Sequence, residues 1–421
     1  MALSKEIQDF LQKEALTRFL RYVKVYTTSD ESTGTTPSSP RQFDLGKMLE
    51  GELKELGLKD VVLDEYCYLY ANLPASKGVK GPPVGFLSHL DTSPAVSGEN
   101  VKPIFHEKYD GSPINFPDDP DLKLTTQDSP ELKHCMGDTI ITASGKTLLG
   151  ADDKAGIAEI MAALAALTKY PELKHGEIRI CFTPDEEVGM GTAKINLDKL
   201  PKYCYTIDGG EPGEIEAECF DAWGATITFK GISVHPGFAK NKMINAATVC
   251  ARFLATMPEY ETPEHTELRE GFFHITGISG SEEEATAKMI IRDFLVPNNE
   301  RRMDYLRKLK EYFEFKHPSL KIEIEFKHQY ENMWTVMEKH PQSVELAKQA
   351  IEMTGLPIRP RAIRGGTDGS RLSVLGHPTP NIFDGGMLFH SRKEWIAKSS
   401  LQKAGEVIVL LAGLWGQKGT T

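Results

Sequence analysis

Residues 152–189 read DDKAGIAEIMAALAALTKYPELKHGEIRICFTPDEEVG. The first part, Asp152 to Tyr170, has the periodicity of an amphipathic helix. Acids stand at its start, where a carboxylate accepts from free N–H groups and suits the helix dipole. EIRICF (177–182) alternates apolar and polar residues of types that suit a pleat, so it reads as a buried strand. KYCYTID (202–208) reads as another. Strands alternating with helices predict an α/β fold, a mixed, mostly parallel sheet covered by helices on both faces.

Outward from this stretch, Ile7, Phe10, Leu11, Ala15, Phe19, Leu20 and Val23 recur with helical spacing. TTSDESTGTTPSSP (27–40) is loop, rich in Ser, Thr and Pro. A helix is expected near Gln42 to Leu56, then strand-like pieces in VVLDEYCYLYANLP and PPVGFLSHLD. The polar, Pro-rich segment from Ser93 to Asp138 is too long for a structureless loop and predicts short strands or a flap at the site. SLQKAGEVIVLLAGLW (400–415) ends the pattern as an apolar helix. Near Ala217 the character changes. WGATITFKG, MINAATVCARFLATM, EGFFHITGIS, ATAKMIIRDF, NERRMDYLRKLKEYFEF and KIEIEFKHQ follow in the order β-α-β-β-α-β, that of a ferredoxin-like unit. The expected organisation is a catalytic domain at 1–219 and 332–421 with an inserted domain at 220–331.

The 421 residues carry a formal charge of −11, which argues against non-specific nucleic-acid binding. The six cysteines (Cys67, Cys135, Cys181, Cys204, Cys219, Cys250) show no CxxC spacing and read as reduced thiols. The charged start MALSKEIQDF lacks the apolar core of a signal peptide, and no run is long enough to span a membrane. A cytoplasmic protein is expected.

Five stretches place His or carboxylate at strand ends or loop starts: SHLDTSP (His89, Asp91), GADDKAG (Asp152, Asp153), PDEEVG (Glu186, Glu187), TIDGGEP (Asp208) and LFHSRKE (His390). Sites in open α/β sheets form outside the carboxyl ends of the strands. Each stretch alone has a plainer reading: a core histidine at His89, a helix cap at Asp152, a turn at Asp208, a buried polar group at His390, a solvated loop at Glu186–Glu187. Their coincidence shifts the balance. Two histidines and three carboxylates suit zinc, with cobalt or manganese also possible, and are too many for one catalytic metal. Two divalent ions with one bridging carboxylate and a bridging hydroxide balance the charge. Asp91, two residues after His89, is placed to accept its other ring N–H; the plainer reading is a cap on the turn at Thr92–Pro94. On extended backbone, adjacent residues face opposite ways. One of the pair can then hold metal while the other acts as general base; Glu187 is assigned to metal and Glu186 to the base, an assignment the backbone pattern alone leaves open.

HLDT, LLGADDKAG, FTPDEEVG, IDGG, SVHPGFAK, IIRDF, IRGGTDGSRLS and FHS, in this order, resemble the signatures of the dinuclear zinc peptidases of the aminoacylase–carboxypeptidase group. Within that group they are most similar to the peptidase T family of tripeptide aminopeptidases. The resemblance spans essentially the whole chain. It implies one metal on His89, Asp152 and Asp208 and another on Asp152, Glu187 and His390, with Asp152 as the bridge and a cis peptide between Asp152 and Asp153. It implies that His235 stabilises the oxyanion across a homodimer interface made by the inserted lid domain, and that Arg292 clamps the peptide's C-terminal carboxylate. It also implies that Asn245 and the loop Arg364 to Ser370, with Gly366 and Thr367, line the substrate cleft. Read without the resemblance, His235 is a turn histidine before Pro236 and Arg292 a solvated strand arginine. RGGTDG lacks the GxxxxGK[ST] pattern and a clear following helix, so it is not a phosphate loop.

The expected function is thus a two-zinc aminopeptidase acting on short peptides, most of all tripeptides. One rival is an amidohydrolase of the same group acting on dipeptides or N-acyl amino acids. Another is a pseudoenzyme that holds peptide without cleaving it, against which the intact Glu186 argues.

Overall fold

The computed structural model describes residues 3–419. The chain divides into two compact units: Met1–Ala217 with Thr335–Arg361 and Thr367–Thr421, and Glu218–Trp334 with Ala362–Gly366. The second unit extends slightly beyond 220–331 at both ends, and it also takes in Ala362–Gly366, which includes the first three residues of RGGTDG.

In the first unit, eight strands form one sheet. In spatial order these are Lys59–Leu63, Leu69–Leu73, Ile178–Thr183, Val84–His89, Tyr203–Gly209, Asn381–Phe383, Glu214–Cys219 and Arg359–Ile363. The four central strands pair in parallel. The sheet is antiparallel where Leu69–Leu73 meets Ile178–Thr183, in the hairpin beyond it, and where Glu214–Cys219 pairs with Asn381–Phe383. The fold is therefore mixed α/β with its parallel register concentrated at the centre. Val84–His89 is buried at every position, as expected of a parallel strand covered on both faces.

The helix Ala151–Lys169 corrects one expectation. It is not amphipathic, because Asp153 to Leu167 is buried without interruption. An alanine-rich surface lets neighbours approach from every side, so this helix sits in the core rather than on its edge. Gly156 shows how close the packing is: a Cβ there would lie 2.1 Å from the Ile207 carbonyl on the strand that carries Asp208. The helix cap expected from Asp152 is also absent. Asp152 and Asp153 have non-helical backbone angles, the bond between them is cis, and no side chain caps this end.

The loop 27–40 holds only a short helical turn at Glu31–Thr33, and Gln42–Glu55 follows as a helix. Between Ser93 and Asp138 lie three short strands and the turn Pro130–Cys135. Tyr109, Ile114, Phe116, Leu124 and Leu132 from this region build a small core of their own with Trp395. A helix, Asp368–Val374, does follow RGGTDG, capped by Thr367. None of the six cysteines is joined in a disulfide among the described residues, and no helix among them is long and apolar enough to cross a membrane.

The second unit has a four-stranded antiparallel sheet in the order Phe272–Gly280, Glu284–Asp293, Asp221–Lys230, Lys321–Tyr330. The helices Ala246–Leu254 and Val296–Lys316 complete a β-α-β-β-α-β unit.

Candidate metal centre

Five chain segments of the first unit bring their side chains together at the C-terminal ends of the parallel strands. His89 is the last residue of its strand, Asp208 the next to last of its own, and Glu186 and Glu187 follow Thr183 by three and four residues. Asp152 lies at the irregular start of the central helix. His390 lies on a turn where Leu388 and His390 both take positive φ, 55° and 57°.

Asp152 is the hub. Its Oδ1 is 2.8 Å from His89 Nε2 and its Oδ2 is 3.0 Å from His390 Nε2. His390 Nε2 is also 2.8 Å from Glu187 Oε2, and Asp208 Oδ1 lies 3.8 Å from His89 Nε2. His89, Asp152 and Glu187 offer ligand atoms all within 4.8 Å of one another, and so do His89, Asp153 and Asp208. The second group contains Asp153 where Asp152 was expected. Asp153, however, uses one carboxylate oxygen to accept from Ser88 Oγ and from the His89 backbone, 3.0 Å away. That makes it a brace for the His89 strand end, while Asp152 stands nearer the imidazole.

The electrostatics call for cations. Asp91, Asp152, Asp153, Glu186, Glu187 and Asp208 converge on two histidines. Burial and the Asp152 charge raise the Glu187 carboxyl to about 7. Burial raises Glu186 well above the carboxylate range, with the charges of Asp368, Glu187 and Asp91 adding to it, and burial does the same to Asp208. The Asp152 carboxyl moves the other way: burial opposes ionisation, but hydrogen bonds from both histidines prevail. Hydrogen bonds to Asp152 and Glu187 push His390 up to about 10. For His89, burial favours the neutral ring, and hydrogen bonds to Asp152 and Asp91 outweigh it. Glu187 Oε1 is buried without a partner. A buried charge needs a partner or a metal, and a His/carboxylate set of this composition fits two divalent ions.

Backbone clamps hold the set in place. Asp91 has 3.3 Å between its Oδ1 and His89 Nδ1, and its own carbonyl is 3.0 Å from the same nitrogen. Its carboxylate also accepts from the backbone N–H of Glu186 (3.1 Å) and of Glu187 (3.2 Å). It therefore caps the glutamate turn rather than the Thr92–Pro94 turn. That turn corrects a second expectation: Glu186–Val188 is a 3₁₀ turn entered through Asp185 at φ 57°, not extended backbone. Glu394, not anticipated from sequence, accepts from the backbone of Leu149 (2.7 Å), Gly150 (2.9 Å) and Asp152 (3.2 Å). It stands four residues after His390, in the stretch already singled out, but nothing local marks it as a clamp.

His235, Asn245, Arg292, Arg364 and Gly366 belong to the second unit. His235 is exposed, and its Nδ1 accepts from Gly237 N at 3.1 Å. Asn245 caps the helix Ala246–Leu254 by accepting from Thr248 N. Arg292 is buried. It donates to the carbonyls of Trp223 (2.9 Å) and Ile291 (3.0 Å) and to Gln329 Oε1 (2.7 Å). Arg364 staples Thr266, Leu268 and Glu270 through their carbonyls. Gly366 has no room for a side chain, since a Cβ would meet the Tyr330 ring at 2.7 Å.

Residues 149–413 match the model of peptidase family M20/M25/M40. A peptidase T from Geobacillus sp. is 46% identical over 409 residues, covering 97% of this chain and 100% of the relative. One from Caldanaerobacter subterraneus is also 46% identical, over 96% and 98%. Among solved structures, the aminopeptidase PepT from Bacillus cereus superposes with a TM-score of 0.75 at 23% identity, covering 96% of this chain and 99% of that one. A dinuclear metal-binding M20 peptidase from Bacillus subtilis gives 0.63 at 12%, covering 96% and 98%. The first relatives are matched along nearly their whole length: the chain belongs to the peptidase T family within the M20/M25/M40 peptidases, and it is a hydrolase that acts as a peptidase.

Proposed function

We propose that the protein is a zinc-dependent aminopeptidase that releases the N-terminal residue from short peptides, most of all tripeptides. The observation that carries the two-metal part is Asp152, which turns one oxygen toward each histidine. His89, Asp152 and Asp208 would hold one ion, and Asp152, Glu187 and His390 the other. When bound, such ions polarise the scissile carbonyl and lower the pKa of water between them.

The remaining steps fall to side chains. Glu186 takes the proton of the attacking water and hands it to the leaving amine. Burial raises its proton affinity, so it can keep the proton it takes until the amine leaves. Asp91 fixes the His89 ring and the turn that carries Glu186. His235 would donate to the developing oxyanion, delivered by the inserted unit of a second copy in a homodimer. Arg292 would clamp the peptide's carboxylate, exchanging Gln329 for substrate, and Asn245, Arg364, Gly366 and Thr367 would shape the cleft around it. The compartment is the cytoplasm, consistent with six cysteines that form no disulfide among the described residues.

The relatives' names, peptidase T and aminopeptidase, favour a peptidase over the amidohydrolase reading, and the complete acid set argues against a pseudoenzyme. Profiling zinc-loaded protein on di-, tri- and tetrapeptides and on N-acetyl amino acids tests all three. Tripeptides are expected to be cleaved fastest. Preference for acylated amino acids would refute the aminopeptidase, and two bound zinc ions with no hydrolysis would support the pseudoenzyme.

A further inference from the structure

Asp185 precedes the glutamate pair and is fully buried, yet no lysine or arginine among the described residues pairs with it. Its carboxylate accepts from Ser38 N at 3.0 and 2.8 Å, from Ser38 Oγ at 2.5 Å and from Gln42 Nε2 at 2.6 Å. Its own N–H donates to Gln42 Oε1 at 3.2 Å. The Gln42 amide thus bonds both the side chain and the backbone of Asp185, and Gln42 and Ser38 are themselves buried. Gln42 opens the helix Gln42–Glu55, so the turn is bolted to a rigid element 143 positions away in sequence. On its far side the Asp185 carbonyl accepts from Met190 N at 2.8 Å, closing the loop around Glu186 and Glu187.

The choice of aspartate here is costly. Its backbone sits at φ 57°, which Gly or Asn would tolerate without a charge. A carboxylate also adds negative charge beside Asp91. What Gly and Asn cannot do is accept at every donor that Ser38 and Gln42 present, since an amide offers one oxygen and turns N–H toward the rest. A strained, unpaired buried acid next to a reacting group points to positioning.

We infer that Asp185 is a positioning residue that aims Glu186 by tying the Asp185–Met190 turn to Ser38 and Gln42. This rests on Glu186 as the general base. Asp185 touches neither substrate nor metal; it fixes the direction from which the Glu186 carboxylate reaches the water.

The test compares zinc-loaded wild type with Asp185→Asn, Ser38→Ala, Ser38→Thr and Glu186→Gln on one tripeptide. Asp185→Asn is expected to lower kcat at least tenfold, to change KM less than threefold, and to keep zinc at the wild-type stoichiometry. In metal-free protein, amide exchange at Glu186 and Glu187 is expected to accelerate at least tenfold. Ser38→Ala is expected to lower kcat in the same direction, to add little when combined with Asp185→Asn, and Ser38→Thr to retain the wild-type rate. A lower melting temperature with unchanged kcat per zinc-loaded chain would reduce Asp185 to a fold residue and overturn the inference. Loss of zinc parallel to loss of rate would shift its action to Glu187 and overturn it too. Wild-type turnover by Glu186→Gln would remove the general base itself, a failure of the functional reading distinct from these two.

Discussion

The carboxylate of Asp91 accepts the backbone N–H of Glu186 at 3.1 Å while standing 3.3 Å from the His89 ring. One side chain therefore sets both the His89 imidazole, proposed to hold metal, and the turn that carries Glu186, the proposed base. Asp91→Ala is expected to lower zinc affinity or turnover about 10- to 100-fold, the range seen when a group supporting a metal ligand is lost. Zinc titration against a competing chelator, followed by kcat at saturating metal, separates the two effects. If neither changes, the double clamp has no functional weight.

Glu186 lies outside the cluster that closes on Glu187, so the two neighbours are expected to differ when removed. Glu186→Ala should lower kcat about 10²- to 10⁴-fold, the usual worth of a general acid–base, with zinc content unchanged. Glu187→Ala should lose zinc. The reverse pattern in metal analysis would exchange their roles.

Much of this centre is legible in the sequence because strand ends announce themselves: SHLD, TIDGG and PDEE each follow an apolar run. The backbone of the glutamate pair is not, because its 3₁₀ turn depends on Asp91, about 95 residues earlier, and on Ser38 and Gln42. Glu394 reads locally as a loop acid, and only the fold carries it to the Leu149–Asp152 backbone. The central helix departs from the amphipathic expectation for a related reason. Alanine on every face carries no sign of which face is covered, and even Glu159 is fully buried. For Arg292 and Asn245, only the family resemblance implies a ligand contact, while their hydrogen bonds show how fully the second unit itself uses them.

Asp152→Ala is expected to abolish binding of both ions together, because both histidines meet the same carboxylate. Calorimetric zinc titration should show two equivalents in wild type and none of comparable affinity in the variant. Retention of one tight site would remove the bridge.

Removing the metals should make stability depend on pH in one direction. Burial and neighbouring charges raise Glu187 to about 7 and lift Glu186 and Asp208 above the carboxylate range, while hydrogen bonds lift His390 to about 10. Each raised group binds its proton more tightly folded than unfolded. Its contribution is fully present below the unfolded pKa and is lost as pH rises through the folded value. Asp152 acts oppositely, but only in strong acid. Metal-free protein is therefore expected to lose thermal stability steadily from pH 6 to 9, and zinc-loaded protein much less. Parallel melting curves at both pH values would contradict this.

Glu159 isolates the same physics away from the metal ligands. Both of its oxygens are buried without partners in the middle of the central helix, and burial, reinforced by Asp384 and Asp153, raises its pKa well above the usual value. As pH rises above the unfolded value, folding must keep this proton or bury a charge, so wild type loses stability. Glu159→Gln has the same shape and no proton to keep. Near pH 5 the two proteins should melt alike. Above that, the advantage of the variant should grow by up to about 1.4 kcal/mol per pH unit, the slope for one proton, until Glu159 ionises. Denaturant unfolding at pH 5, 7 and 8.5 measures it. A pH-independent difference would mean that Glu159 is ionised in the folded protein and holds a cation, since nothing else would support a charge there.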